Sequence, residues 1–187
     1  MKLKRFGFLI LPFTLLTLSS CLGDDDDSDF DLDSWRAENA TYITEAEAAT
    51  ENGVKKYEKI VPKWDPATFV LMQWHHRGNP VNKLKPLDNS TLDVKYLLTN
   101  VRGDTLDSSY ALTANGDSIF RCKPNEMITG FWAATTNMEI GDSVTAVIPY
   151  TSGYGVTGSG AILPYSTLIF NIKLVNIAAY DKVPGRP

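Results

Sequence analysis

Hydrophobic residues are spaced in four different ways along this chain. Phe6 to Leu18 is an almost unbroken apolar run with Pro12 inside it. From Trp35 to Lys59 the residues are rich in Ala and Glu, with Tyr42, Ala46, Ala49 and Tyr57 loosely spaced and Gly53 interrupting, which predicts one or two short helices. Val61-Pro62-Lys63-Trp64-Asp65-Pro66 then breaks any helix, and Phe69 to Trp74 has strand composition. Beyond that point alternation dominates. Leu92, Val94, Tyr96 and Leu98 are apolar while Asp93 and Lys95 are polar; Ser143 to Ile148 alternates; Leu168, Phe170, Ile172 and Leu174 share one side against Asn171 and Lys173.

One more helix is expected within Lys123 to Ala134, with Asn125 as its cap and Ile128, Phe131, Trp132 and Thr135 on one side. Val101-Arg102-Gly103-Asp104 reads as a turn rather than an adhesion motif, and Gly141-Asp142 as another. No repeat is visible at a period of twenty to fifty residues. The fold class this implies is α+β: one antiparallel sheet with a short helix packed on it and a helical N-terminal extension.

The chain has 187 residues, 43% of them hydrophobic, which suits one ordinary domain with an appendage. Lys2, Lys4 and Arg5 precede the first apolar run and small residues follow it, the layout of a secretory signal peptide too short for a transmembrane anchor. Leu18-Ser19-Ser20-Cys21 resembles the lipobox of bacterial lipoproteins, so Cys21 is expected to carry lipid and to anchor the chain through more than one acyl chain. Cys122 would then stand alone, without an intramolecular disulfide.

Seven aspartates crowd between Asp24 and Asp33, whereas acidic and basic residues balance from Ser34 onward. A neutral domain has no basic field to collect phosphates, so nucleic acid is disfavoured as a partner. The acidic run reads either as an export signal of surface lipoproteins or as a solvated spacer, and the residues leave both open. The expected layout is a signal peptide over 1–20, a lipidated and acidic tether over 21–34, a helical extension over 35–60, the β-rich domain over 61–180 and a tail over 181–187.

His75 and His76 are the only histidines, and as strand neighbours they point to opposite faces, so no metal or other cofactor is expected. Asp107 beside Ser108 and Ser109 has no histidine in a comparable motif; a hydrogen-bonding role at a strand edge is expected instead. Asn39-Ala40-Thr41 and Asn89-Ser90-Thr91 match glycosylation acceptors that carry no meaning in a bacterial chain.

Leu106-Asp107-Ser108-Ser109, then Gly130-Phe131, Gly153-Tyr154-Gly155 and Ile162-Leu163-Pro164-Tyr165-Ser166-Thr167-Leu168-Ile169-Phe170 follow one another in that order. Over about residues 55 to 177 the sequence resembles the FKBP-type peptidyl-prolyl isomerases, which usually read Phe-Asp-Ser-Ser, Gly-Trp, Ala-Tyr-Gly and Ile-Pro-Pro-x-x-Thr-Leu-x-Phe. The resemblance implies an FKBP-like sheet curled around one helix. It also implies a proline pocket with a wall from Tyr96, Leu106 and Asp107, a floor from Phe131, an edge from Met127 and Ile128, and a lid from Tyr154, Ile162 and Phe170.

The implied activity is rotation of X-Pro bonds in exported polypeptides at the bacterial envelope, with the Ile128 N–H and the Tyr154 hydroxyl holding substrate carbonyls. Oligomeric state is left open. Leu106, Phe131 and Leu163 depart from the family pattern, so the alternative is a catalytically weak or inactive binding or chaperone module of the same shape.

Overall fold

A computed structural model describes residues 30–78 and 83–180. The expected signal peptide, the Cys21 attachment point, most of the tether and the tail at 181–187 lie outside the described residues.

The first element, α1 (Leu32–Ala48), begins inside the segment assigned to the tether. Asp31 is the reason: its carboxylate accepts from the amides of Asp33 and Ser34 and from the Ser34 hydroxyl, satisfying N–H groups that a helix start leaves free. Helix over the whole of 35–60 is not what forms. After Ala48 the chain makes a hairpin, β1 (Thr50–Glu51) with β2 (Val54–Lys55), and then β3 (Glu58–Ile60) joins the main sheet. Asn52 and Gly53, with φ of 51° and 78°, form the two-residue turn that an Asn-Gly pair favours, so Gly53 marks a hairpin rather than a flaw in a helix.

The remaining strands are β4 (Val70–His76), β5 (Thr91–Thr99), β6 (Thr105–Ser108), β7 (Phe120–Cys122), β8 (Ser143–Ile148) and β9 (Leu168–Ala179). The main sheet runs β3-β4-β8-β9-β5-β6 with every pairing antiparallel, and β7 pairs the first half of β5 where β6 pairs the second. The expected alternation holds in the second half of β5 and through Leu174 of β9, whereas Asp93 of β5 is buried along with its neighbours and Val147 of β8 is buried on the side opposite Val144, Ala146 and Ile148. A register shift opposite Asp93 and Val94 inserts Val175 into β9, which lets both Leu174 and Ile177 face the core.

α2 (Thr129–Asn137) crosses one face of the sheet, and its seam with Val70, Met72, Val94, Tyr96, Ala146, Ile148 and Phe170 forms the main core. β4 and β8 are buried on their other face as well, where Leu71 and Val147 meet Tyr42, Ile43 and Ala46 of α1. Two features of α2 differ from expectation. Asn125 does not cap it: Pro124–Glu126 is a separate 3₁₀ turn whose Asn125 amide bonds Asp88, and α2 starts after an extended Ile128. Trp132 does not share the Phe131–Thr135 face, since one residue further turns a side chain by about 100° away from the seam. It stacks on Trp64 at 4.4 Å between centroids and donates its indole N–H to Asp88.

Candidate active site

The site is built where β5, β6, α2 and the β8–β9 connection converge. Tyr96 projects from the alternating face of β5 and Phe170 from β9, in neighbouring strands, while Phe131 descends from α2. Their rings meet edge-on or tilted: Tyr96 lies 5.8 Å from Phe170 and 6.5 Å from Phe131, and Phe131 lies 5.3 Å from Phe170. All three are buried. Leu106, Met127, Ile128, Tyr154 and Ile162 are half-buried around the same cluster, which leaves part of each facing outward. The structure thus brings together every apolar pocket residue that the motifs nominate.

α2 comes close enough to set the floor because of one glycine. A Cβ at Gly130 would stand 2.3 Å from Cγ2 of Ile148, so only a bare backbone lets the first turn rest on β8 and drive Phe131 inward.

Asp107 is held rather than free. Tyr96 Oη donates to its Oδ2 at 2.6 Å, and its other oxygen accepts from the Ser108 amide at 2.7 Å. The buried Ser109 closes the wall: its hydroxyl accepts from the Tyr96 amide at 2.9 Å, and its own amide donates to the Tyr96 carbonyl. Burial, and after it donation to Asp107 and the adjacent negative charge, pushes the Tyr96 phenol well above its ordinary pKa, so it remains a neutral donor.

Two donors point nowhere else. Neither the Ile128 N–H nor the Tyr154 hydroxyl has a hydrogen-bond acceptor among the described residues. Tyr154 sits in a connection with little slack. The Gly155 amide bonds Tyr150 O, the Tyr165 amide bonds Gly155 O, and Ser159 and Ile162 exchange two bonds of 2.9 Å that close the tip.

Phe120 is a ring of this cluster that the sequence reading did not nominate. It leans edge-on against Tyr96 at 5.4 Å from the half-buried rim of the cluster. β7 is only three residues long, so its alternation of Phe120, Arg121 and Cys122 is too brief to stand out. Cys122 is buried beside the ring cluster, and desolvation pushes its thiol up to about 12. His75 bonds Thr145 across to β8 at 2.7 Å.

The family model for FKBP-type peptidyl-prolyl cis-trans isomerase matches residues 82–175. FKBP-type peptidyl-prolyl cis-trans isomerase FkpA of Escherichia coli (strain K12) is 31% identical over 102 residues, 54% of this chain and 36% of that protein. The chain therefore spans about a third of that relative. FK506-binding protein 1 of Gibberella zeae is 36% identical over 77 residues, 41% of this chain and 67% of that one. A crystal structure of a peptidyl-prolyl cis-trans isomerase from Pseudomonas syringae pv. tomato superposes with a TM-score of 0.62 over 79% of this chain and 96% of that chain; at 22% identity the likeness speaks to the fold.

Proposed function

Since the chain belongs to the FKBP-type peptidyl-prolyl cis-trans isomerase family, we propose that its pocket rotates X-Pro peptide bonds of exported polypeptides. The observation that carries this reading is the buried ring cluster of Tyr96, Phe131 and Phe170, bordered by the half-buried Leu106, Met127, Ile128, Tyr154 and Ile162, with two unspent donors, Ile128 N–H and Tyr154 Oη, at its edge.

The chemistry needs no nucleophile. Amide resonance sets a barrier of about 18–20 kcal/mol, and resonance stabilises the planar form by separating charge. A proline ring seated on Phe131 between Tyr96 and Phe170 leaves water, and the dry surroundings favour the twisted, less polar amide over the planar one. Ile128 N–H and Tyr154 Oη hold the flanking carbonyls so that one side of the bond is fixed while the other turns. Asp107 keeps the Tyr96 ring in place through its hydrogen bond.

Lys2, Lys4, Arg5, the apolar run and the Leu18-Ser19-Ser20-Cys21 box support attachment of the chain by lipid on Cys21 and placement at the bacterial cell envelope, on the outer membrane. The acidic residues that follow would space the pocket from the membrane surface. A second reading, a binding or chaperone module without catalysis, is favoured by Leu106, a smaller wall than the phenylalanine usual in the family. The test is refolding of a protein whose slow phase is limited by prolyl isomerisation, which takes tens to hundreds of seconds unaided. A catalytic amount of the chain is expected to shorten that phase; an effect that needs stoichiometric amounts would favour the binding module.

A further inference from the structure

α1 is not a free arm. Trp35, 2% exposed, donates its indole N–H to the carbonyl of Pro164 at 3.0 Å. One turn further, Asn39 is equally buried: its side-chain oxygen accepts from the Thr167 amide at 2.6 Å, and its amide group donates to Trp35 O. Arg36 lies 4.7 Å over the ring of Tyr165. Three successive contacts of one helix face therefore grip the returning half of the connection that bears Tyr154 and Ile162.

The gripped residue between them is strained. Tyr165 holds φ at 60°, in the left-handed region that a residue with a bulky side chain rarely enters, and such a conformation persists only where its surroundings over-determine it. Here those surroundings are Trp35 on Pro164, Arg36 on the Tyr165 ring, and Tyr150 packed edge-on at 5.2 Å. The strained turn aims the Tyr165 amide at Gly155 O, 3.0 Å away, beside Tyr154. On its other side the same helix holds the β5–β6 turn: Arg102 lies 5.0 Å from the Trp35 ring and is paired to Glu38, and three residues after that turn's Gly103 comes Leu106 of the pocket wall. An exposed ion pair contributes little by itself, so the buried Trp35 and Asn39 dominate the grip.

We infer that α1 is a clamp on the active site, with Trp35 as a positioning residue that fixes the Tyr154-bearing loop against the wall carried by β6. This rests on the isomerase reading for its catalytic consequence, but the clamp itself is a property of the loop and can be measured separately.

The experiment uses the full chain with Trp35→Phe, which keeps a ring but removes the donor, and Arg36→Ala, an exposed change that leaves the core untouched. Each is made alone and together with Tyr154→Phe. Two readouts are taken: amide hydrogen exchange at Gly155 and Tyr165, and kcat/KM on an X-Pro peptide. Loss of one hydrogen bond is expected to speed exchange at both amides and to lower kcat/KM, each by about tenfold in Trp35→Phe and less in Arg36→Ala. In the Tyr154→Phe background the loss in kcat/KM is expected to shrink, because two residues acting through one contact are not additive. Unchanged exchange at both amides in the folded variants would overturn the clamp. Equal loss in both backgrounds would reduce Trp35 to a structural residue. If Trp35→Phe does not fold, Arg36→Ala decides by the same criteria. If the wild-type chain rotates no peptide, the isomerase reading fails while the exchange data still decide on the clamp.

Discussion

Tyr96 and Asp107 are joined across adjacent strands by a phenol-to-carboxylate hydrogen bond of 2.6 Å, at the point where β5 and β6 border the ring cluster. Tyr96→Phe removes the donor while keeping the ring. A hydrogen bond to a charged group is worth about 1.5–3 kcal/mol when buried, and less at a half-open rim such as this. A stability loss of about 1 kcal/mol in urea melts is expected, with a drop of about tenfold in kcat/KM if the bond also holds the ring in its catalytic position. Asp107→Asn retains an acceptor and is expected to lose less on both measures; an equal or greater loss would assign Asp107 a role beyond anchoring Tyr96.

Gly130 and Ile148 make the second test. Gly130→Ala places a methyl 2.3 Å from Ile148 Cγ2, so α2 must lift or Ile148 must leave its rotamer. Overpacking of this kind costs about 1–3 kcal/mol. Ile148→Ala added to Gly130→Ala is expected to recover part of that cost, giving a double variant more stable than the sum of the singles in thermal melts.

Alkaline pH should weaken the fold. Cys122 and Tyr96 both have folded pKa values raised above their ordinary 9.0 and 10.0, the thiol to about 12, because the core excludes their charged forms. The unfolded chain ionises first, so the stability that these groups contribute is complete below pH 9 and is lost as pH rises toward 12. Melting temperature is expected to fall from about pH 9 upward. Cys122→Ala should flatten the part of that fall that precedes tyrosine ionisation.

Asp142 ties the turn before β8. Fully buried, it accepts from the Gly78 amide at 2.6 Å and the Glu139 amide at 2.8 Å, and Arg77 lies 3.6 Å away. Asp142→Ala leaves two part-buried donors without their acceptor and is expected to cost about 1–3 kcal/mol, with Asp142→Asn in between, as read by denaturant midpoints.

Much of this was legible in the residues because the sheet is half-buried and antiparallel. Alternation in β5, β8 and β9 announces which side of each strand meets the core, and Tyr96 and Phe170 fall on that side. What escaped is short or decided by tertiary contact. Asn52-Gly53 was the local signal for a hairpin, but the flanking strands are two residues each and the Ala- and Glu-rich context reads as helix. β7 is three residues, so Phe120 gave no periodic cue. Trp35 carries no motif at all: its value comes from Pro164, 129 residues away, and only the fold brings the two together. Asn39, which the sequence offered as a glycosylation acceptor, is a buried clamp on Thr167.

The most direct measurement is protease-free exchange NMR on short X-Pro peptides with the wild-type chain beside Phe131→Ala and Tyr154→Phe. Wild-type protein is expected to accelerate cis-trans exchange, with Phe131→Ala, which empties the floor, losing most of that rate and Tyr154→Phe losing about tenfold, the weight of one hydrogen bond. No acceleration by folded wild-type protein on any peptide would contradict the isomerase reading and leave a binding module of the same shape.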